Sequence, residues 1–546
     1  MVTISALGTR TCTDSIELPP VQKGMTFSLP QPDCNNDAYL PRIVHFQLSP
    51  QKGHSKAYRE EESYVKLILG AVLALCLVCA AASAQAVVSL KIARSPTDSL
   101  ISPGFIGLSF ETGSLRYDHY RKDAYFFDSA DTQLLTIFRN LGIESIRIGG
   151  DSLEEYTPSR QDIDALFRFV KAANIRVIYS LPLATGSPDR AASVAKYIWN
   201  RYRNYLICFS IGNEPNSYKG VAHGFAEGKI GNPEITNYAS YLSMWNRYAA
   251  AVAAAVPEAK LGGPDSGNGA VAWTAAFAQA EVNNRNVRYI LSHYESGGPS
   301  RGKTTQQLID EMLSQGRDAK YQSAYDQVDA IVRSLGYSYL FSETNTHVAS
   351  RASKAAENHS FATALFALDY LHWWAAHYCS GALFHTGLGS FNAALYSDRH
   401  DDYALYPLSY GIAAFNVGGH GKIDSLQMDN PDRLNITAYA VIDAKNNLFV
   451  TIVNKEHGEG ARDGVVRINA IGQKQGVIYL KAPNHDVTET SGITLGGASI
   501  DSNAQWQANW APLDSTDEVG TAVKIGASSA AIIKFTNANI LSPAGQ

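Results

Sequence analysis

Cysteine is scarce in this chain: of six in 546 residues, four (Cys12, Cys34, Cys76 and Cys79) precede residue 87. The other two, Cys208 and Cys379, sit in the apolar runs LICFS and HYCSGALF, which excludes a disulfide scaffold and predicts buried, inert thiols. No Cys/His set has the spacing of a zinc site. Basic runs are missing too. With 46 Lys and Arg against 51 Asp and Glu, the net charge of −5 argues against nucleic acid or an anionic membrane as partner. No G-x-S-x-G elbow stands at a strand-to-helix turn, and Gly262-Gly263-Pro264 lacks the Lys-Ser/Thr of a phosphate loop, so a serine esterase and a nucleotide-binding loop have no anchor. Internal repeats and low-complexity linkers are absent.

Long hydrophobic runs are equally rare. The one candidate, Leu67 to Ala82 (LILGAVLALCLVCAAA), is short for a span of roughly 20 residues. Lys66 precedes it and the small-x-small triplet Ala84-Gln85-Ala86 follows, the pattern of a secretory signal peptide. Residues 65–86 are therefore expected to direct export and be removed, giving a secreted or periplasmic protein. Residues 1–64 show no periodicity and read as an unstructured or mis-annotated extension, with Val65 a candidate start codon. The alternative is an uncleaved anchor, whose flank (Arg59, Glu60, Glu61, Glu62) has no orienting charge bias.

What is present is a strict alternation. From residue 104 to 405, short apolar runs rich in β-branched and aromatic residues alternate with amphipathic helical stretches. Eight runs qualify: 104–111, 145–150, 176–183, 206–214, 261–265, 288–295, 339–345 and 381–387. Helical patterns lie between them, as at 131–142, 162–174, 241–256 and 361–376. Apolar strands alternating with helices indicate a parallel sheet covered outside, and eight units predict a (β/α)8 TIM barrel. Residues 406–546 instead show alternating runs broken by Gly, Asn and Asp turns, without a helix pattern, and predict a C-terminal antiparallel β-sandwich. Residues 87–103 are expected to add a strand to that sandwich.

Barrel enzymes keep their chemistry at the C-terminal ends of the strands. Two glutamates stand there: Glu214, in SIGNEP after the fourth run, and Glu343, in FSETN on the seventh. Strands four and seven lie nearly opposite in an eight-strand barrel. Their tips can therefore present two carboxyls across one bond, as glycoside hydrolysis requires. The expected roles are Glu214 as acid/base and Glu343 as nucleophile. Asn213 is expected to donate to the sugar 2-hydroxyl. Tyr294 at the end of the sixth run is expected to hydrogen-bond the nucleophile, and Arg147 on the second to favour its ionised form. No metal and no organic cofactor is expected.

At these residues the sequence resembles the clan A glycoside hydrolases, and more finely family 79, the β-glucuronidases and heparanases. The matching stretches are GFIGLSFE, SIRIGGDS, SIGNEPN, LGGPDSG, SHYES, SETN, FATALFALDYLHW and AYAVIDAKNNLFVTIVNK. The resemblance implies a retaining mechanism, a barrel followed by a β-sandwich, and sugar contacts from Glu111, Asn213, Tyr294 and Tyr396. It also implies a substrate that is a terminal β-glucuronide, cut by exo action on a glycan or glycoside. An endo enzyme on acidic polysaccharide would line its cleft with Lys and Arg, and no basic cluster is present. The segment Thr346-His347-Val348-Ala349-Ser350-Arg351 departs from the family's Tyr- and Gly-rich loop that holds the substrate carboxylate. Arg351 or His347 is the expected replacement. A neutral β-glucoside or xyloside, and a silent carbohydrate-binding protein, are the alternatives. The oligomeric state is not legible.

Overall fold

A computed structural model describes residues 86–119, 121–218, 232–298, 300, 302–347, 359–386, 393–397, 403–513 and 515–541. The expected signal segment and the extension before it lie outside these residues. So does Arg351. Among the described residues no helix is long and apolar enough to cross a membrane.

The first strand, β1 (Ala86–Ile101), runs into the barrel proper. The barrel strands are β2 (Ile106–Glu111), β3 (Ser145–Gly149), β4 (Arg176–Leu181), β5 (Leu206–Ile211), β6 (Leu261–Ser266), β7 (Val287–Glu295), β8 (Ser338–Asn345) and β9 (Ala382–His385). All pair in parallel, and β9 returns to β2 to close the ring. Helices α1 (Thr132–Leu141), α2 (Arg160–Ala173), α3 (Pro188–Tyr202), α4 (Tyr238–Ala255), α5 (Val271–Ala280), α6 (Thr305–Met312), α7 (Arg317–Ser334) and α8 (Ala362–Ala376) cover the outside. Their starts are written locally. The Asp131 carboxylate caps α1 by accepting from Leu134 N–H, and Ser159 and Asp162 form a reciprocal capping box at α2.

One further helix, α9 (Pro407–Gly418), follows β9 and packs along α8. The sequence pattern placed this stretch in the sandwich because PLSYGIAAFNVG is apolar all round and carries no amphipathic stripe. Burial on nearly every side is the reason. A Cβ on Gly411 would come within 2.1 Å of the Ala364 carbonyl oxygen, so the two helices touch backbone to backbone where only glycine fits.

Beyond α9 the chain forms the β domain, a ten-strand hydrogen-bonded sheet that also takes in β1. Its pairing is antiparallel except where residues 86–90 of β1 run parallel to 464–468. The sheet coils until its far strands meet, with Tyr479 Oη donating to the Lys524 carbonyl across 3.1 Å. Val88, Leu90, Ile452, Val466, Val523 and Ile533 fill the space it encloses. Its other face, through Phe449, Val453, Ile478 and Ile532, packs into the same core as the barrel helices.

Inside the barrel the side chains form layers. Ile178, Cys208, Leu291, Leu340 and Leu383 make an apolar floor. One step nearer the C-terminal ends, on the same inward-facing phase, the strands carry Ser109, Arg147, Ser180, Ser210, His293 and His385. Alternation with period two thus turns a packed floor into a polar chamber.

Candidate active site

Arg147 organises this chamber. Its side chain is wholly unexposed, a costly state for a guanidinium unless every charge is met. Its Nη1 donates to Glu343 Oε2 at 2.8 Å and to Ser109 Oγ at 3.1 Å. Its Nη2 donates to Asp265 Oδ2 at 2.8 Å and to Asn213 Oδ1 at 2.6 Å. Asp265 also accepts from Ser210 Oγ at 2.9 Å and from Ser342 Oγ, and His293 Nε2 lies 3.3 Å away. Burial opposes its charge, but Arg147 above all, with these donors, holds its carboxyl far below the usual carboxylate range.

Two register breaks aim the acidic groups. Between β6 and β7 the pairing steps from Pro264–Leu291 to Ser266–Ser292, leaving Asp265 as an extra residue with φ of +59°. Between β7 and β8 it steps from Ser292–Phe341 to His293–Glu343, leaving Ser342 extra. In strict alternation Ser342 and Glu343 would face opposite ways. The bulge lets both point inward, Ser342 to Asp265 and Glu343 to Arg147.

Glu343 is bounded on each oxygen. Oε2 meets Arg147, and Oε1 lies 3.1 Å from His385 Nδ1. Burial would raise its pKa, but His385, then His293 and Arg147, outweigh it and hold the carboxyl well below its ordinary value. Reciprocally, burial lowers His385 while Glu343, Glu111 and Glu295 raise it, to about 9.

Glu214 follows β5 in a left-handed conformation, φ +45°, anchored by its N–H donating to the Asp265 carbonyl at 2.8 Å. Its Oε1 lies 2.9 Å from His293 Nδ1, and the same nitrogen is 4.0 Å from Glu343 Oε2. Because both distances meet at one atom, these two carboxyl oxygens are at most about 7 Å apart. Each glutamate keeps a little exposure, 14% for Glu214 and 13% for Glu343, whereas Arg147 and Asp265 keep none.

Of the other expected site residues, Asn213 is drawn in through Arg147, and its Nδ2 donates to Asp151 Oδ1 at 3.2 Å. Glu111 closes the β2 end, accepting from Ser152 N–H at 2.8 Å and Ser152 Oγ at 2.6 Å. Burial, then Asp151 and Glu343, push its pKa up against the pull of His385. Gly150, at φ +73°, runs so close to that carboxylate that a Cβ would fall 2.3 Å from Glu111 Oε1. His347 is buried, with Nε2 3.2 Å from Glu311 on α6, and burial lowers its pKa to about 4. An imidazole neutral at working pH offers no charge to a substrate carboxylate. Tyr396 pairs with Ala404 in a short ribbon, its ring 6.4 Å from Tyr406.

Tyr294 needs correction. Its ring packs outward against Phe341 (5.4 Å between centroids) and Trp374 of α8 (5.6 Å), away from the carboxylates. His293, one residue earlier, takes the inward place. Counting by twos from Leu291 of the apolar floor would have chosen it. The same count finds His385 from Leu383. Asp265 escapes any such count, because a bulge places it.

No protein-family model matches the chain, and no curated protein matches it. Solved structures do resemble it. A 4-O-α-L-rhamnosyl-β-D-glucuronidase from Fusarium oxysporum 12S superposes with a TM-score of 0.61 at 17% identity, covering 82% of this chain and all of that one. A family 51 arabinofuranosidase from Xanthomonas axonopodis pv. citri gives 0.59 at 13% identity, with 82% and 100% covered. A family 39 β-xylosidase from Caulobacter crescentus gives 0.52 at 15% identity, with 82% and 99% covered. At such identities the likeness is one of fold.

Proposed function

We propose that this chain is a retaining β-glycosidase, with Glu343 as nucleophile and Glu214 as acid/base. The carrying observation is the asymmetry of two facing carboxyls. Glu343 is clamped between a guanidinium and an imidazole, which favours the charged form that attacks. Glu214 instead lies beside His293, with Oε1 2.9 Å from Nδ1. The same nitrogen is 4.0 Å from Glu343 Oε2 and so stands between the two. The limit of about 7 Å between their oxygens accommodates the roughly 5–5.5 Å of retaining enzymes and leaves little of the 6.5–9.5 Å range of inverting ones.

In the proposed reaction Glu343 Oε attacks the anomeric carbon as the bond to the aglycone oxygen breaks, and Glu214 gives that oxygen its proton. Glu214, now a carboxylate, then takes a proton from water, whose oxygen displaces Glu343 from the glycosyl ester and restores both groups. Asn213, fixed by Arg147 and Asp151, is placed to donate to the 2-hydroxyl.

The proposed substrate is a terminal β-glucuronide released by exo action, supported by the sequence resemblance and by the glucuronidase among the similar folds. A neutral β-glycoside is the second reading, and a specific observation favours it. Among the described residues, Glu111, Asp151 and Glu295 lie about the chamber, and the cations Arg147 and His385 already hold Glu343. Hydrolysis of 4-nitrophenyl β-glucuronide and β-glucoside by the wild type and by Glu343→Ala, the latter with azide, tests both layers. Turnover lost in the variant and partly restored as a glycosyl azide supports the nucleophile. Preference for the glucoside moves the substrate and keeps the mechanism, and silence on every glycoside returns the chain to carbohydrate binding.

A further inference from the structure

Charge counting in the chamber singles out one side chain. Arg147 is shared: its Nη2 lies 2.8 Å from Asp265, a buried carboxylate with no exposure, and that pair is close to neutral as a unit. The positive charge Arg147 can spend on Glu343 is therefore already met from the other side. The group left to balance Glu343 is His385, at the end of β9, with Nδ1 3.1 Å from Oε1 and one fifth of its side chain exposed. Among the described residues its largest electrostatic partners are carboxyls. These are Glu343 from β8, Glu111 from β2 and Glu295 from β7. His293, from β7, faces the opposite oxygen of Glu343 at 4.0 Å.

We propose that His385 is the positioning residue that keeps Glu343 ionised and turns its Oε1 toward the sugar, so that the acid limb of the reaction is set by this imidazolium rather than by Arg147. The inference rests on the glycosidase reading for its kinetic form, but not for its electrostatic form. Three carboxylates around one ring hold the imidazole charged up to about pH 9, across the whole range in which a carboxylate nucleophile works. Removing the charge lets burial act on Glu343 unopposed on that side, and its pKa rises.

The test compares His385→Gln, which removes the charge, with His385→Lys, which restores a cation. In His385→Gln the acid limb of kcat/KM moves up by about one to two pH units, the usual effect of an adjacent opposite charge. Activity is then depressed more than tenfold at the acid end and recovers at higher pH. His385→Lys returns the limb toward the wild-type position. A purely structural role would lower activity at every pH and leave the limb in place, and that result overturns the proposal. A second measurement needs no activity, and its decisive arm needs only the wild type. The ring 15N shifts of His385 are followed with pH in the wild-type full chain and in Glu343→Gln. A midpoint near 9, falling toward the ordinary histidine range in Glu343→Gln, is expected. A wild-type midpoint near 6.5 overturns the proposal even if glycosides are cleaved. Conversely, a raised midpoint in a chain that cleaves no glycoside removes the glycosidase reading and leaves this pairing standing.

Discussion

Two buried ionic clusters in this molecule invite comparison. At the junction of helix α8 and the coiled sheet, Asp369 accepts from Lys455 Nζ at 2.8 Å, from Thr437 Oγ1 at 2.6 Å and from Tyr439 Oη at 2.7 Å. Both charged side chains are almost unexposed, 4% and 2%. Asp318 nearby is pushed up by burial and then by Asp369. In the barrel chamber, among the described residues, Arg147 and His385 are shared among the carboxyls of Asp265, Glu343, Glu111 and Glu295, with Glu214 and His293 beside them. The two facing glutamates keep some exposure. A saturated pair staples two parts of a fold together. A cluster of carboxyls that share their cations in a partly open site is poised for chemistry, and stability alone does not account for it.

That contrast can be broken experimentally, the heaviest blow first. Glu343→Ala should cost about a millionfold in kcat, the scale on which loss of a covalent nucleophile is felt, with folding intact by circular dichroism. Survival of most activity would make the chamber another staple. Glu214→Gln should cost roughly 10²- to 10⁴-fold, and less on substrates whose leaving group needs no proton; uniform loss across leaving groups would remove its role as acid.

At the junction the expected losses are in stability. Lys455→Met strands a buried carboxylate and should lower the unfolding free energy by about 3–5 kcal/mol in urea titrations, while kcat/KM of the folded protein stays unchanged. The double variant Asp369→Leu/Lys455→Met should recover most of that loss. A smaller effect, about 1–3 kcal/mol, is expected for Gly411→Ala, which drives a methyl into the Ala364 carbonyl; an unchanged melting temperature would show that α8 and α9 can part without cost.

The smallest effect is the pH dependence of stability. The folded-state pKa of His385 is raised, so its contribution is full below the ordinary histidine range and is lost as pH rises through about 9. Glu343 is depressed, so its contribution is present above the ordinary carboxylate range and is lost as pH falls. Melting temperatures of wild type minus Glu343→Gln should therefore peak between these limits. A flat difference would mean that the pair contributes nothing to folding.

Much of this was legible in the residues. The eight strand runs and the helix patterns between them all appear, within a few residues, because the strands are largely apolar below the chamber and the quoted helices carry either a clear stripe, as at 132–141 and 160–173, or a long run of good helix formers, as at 362–376. Glu214 and Glu343 were legible from their rank and position at strand ends. What escaped has local physical causes. Helix α9 has no polar face and, unlike the equally buried α8 with its Ala and Leu, carries Pro, Gly and Asn, which read as turn residues. Tyr294 drew attention as a phenol near the nucleophile, although its phase points it outward and His293 inward. Asp265 and the inward turn of Glu343 depend on bulges, which no alternation predicts. The closing of ten strands into one coiled sheet, with β1 parallel to a strand nearly four hundred residues away, is a long-range pairing that no local pattern carries.

The most direct measurement of the central claim is covalent trapping. Incubation with a 2-deoxy-2-fluoro β-glycoside bearing a good leaving group, followed by peptide mass spectrometry, should place one sugar on the peptide containing Glu343 and none in Glu343→Gln. A label on Glu214 instead, or turnover with inversion at the anomeric carbon and no label, would contradict the assignment of Glu343 as nucleophile.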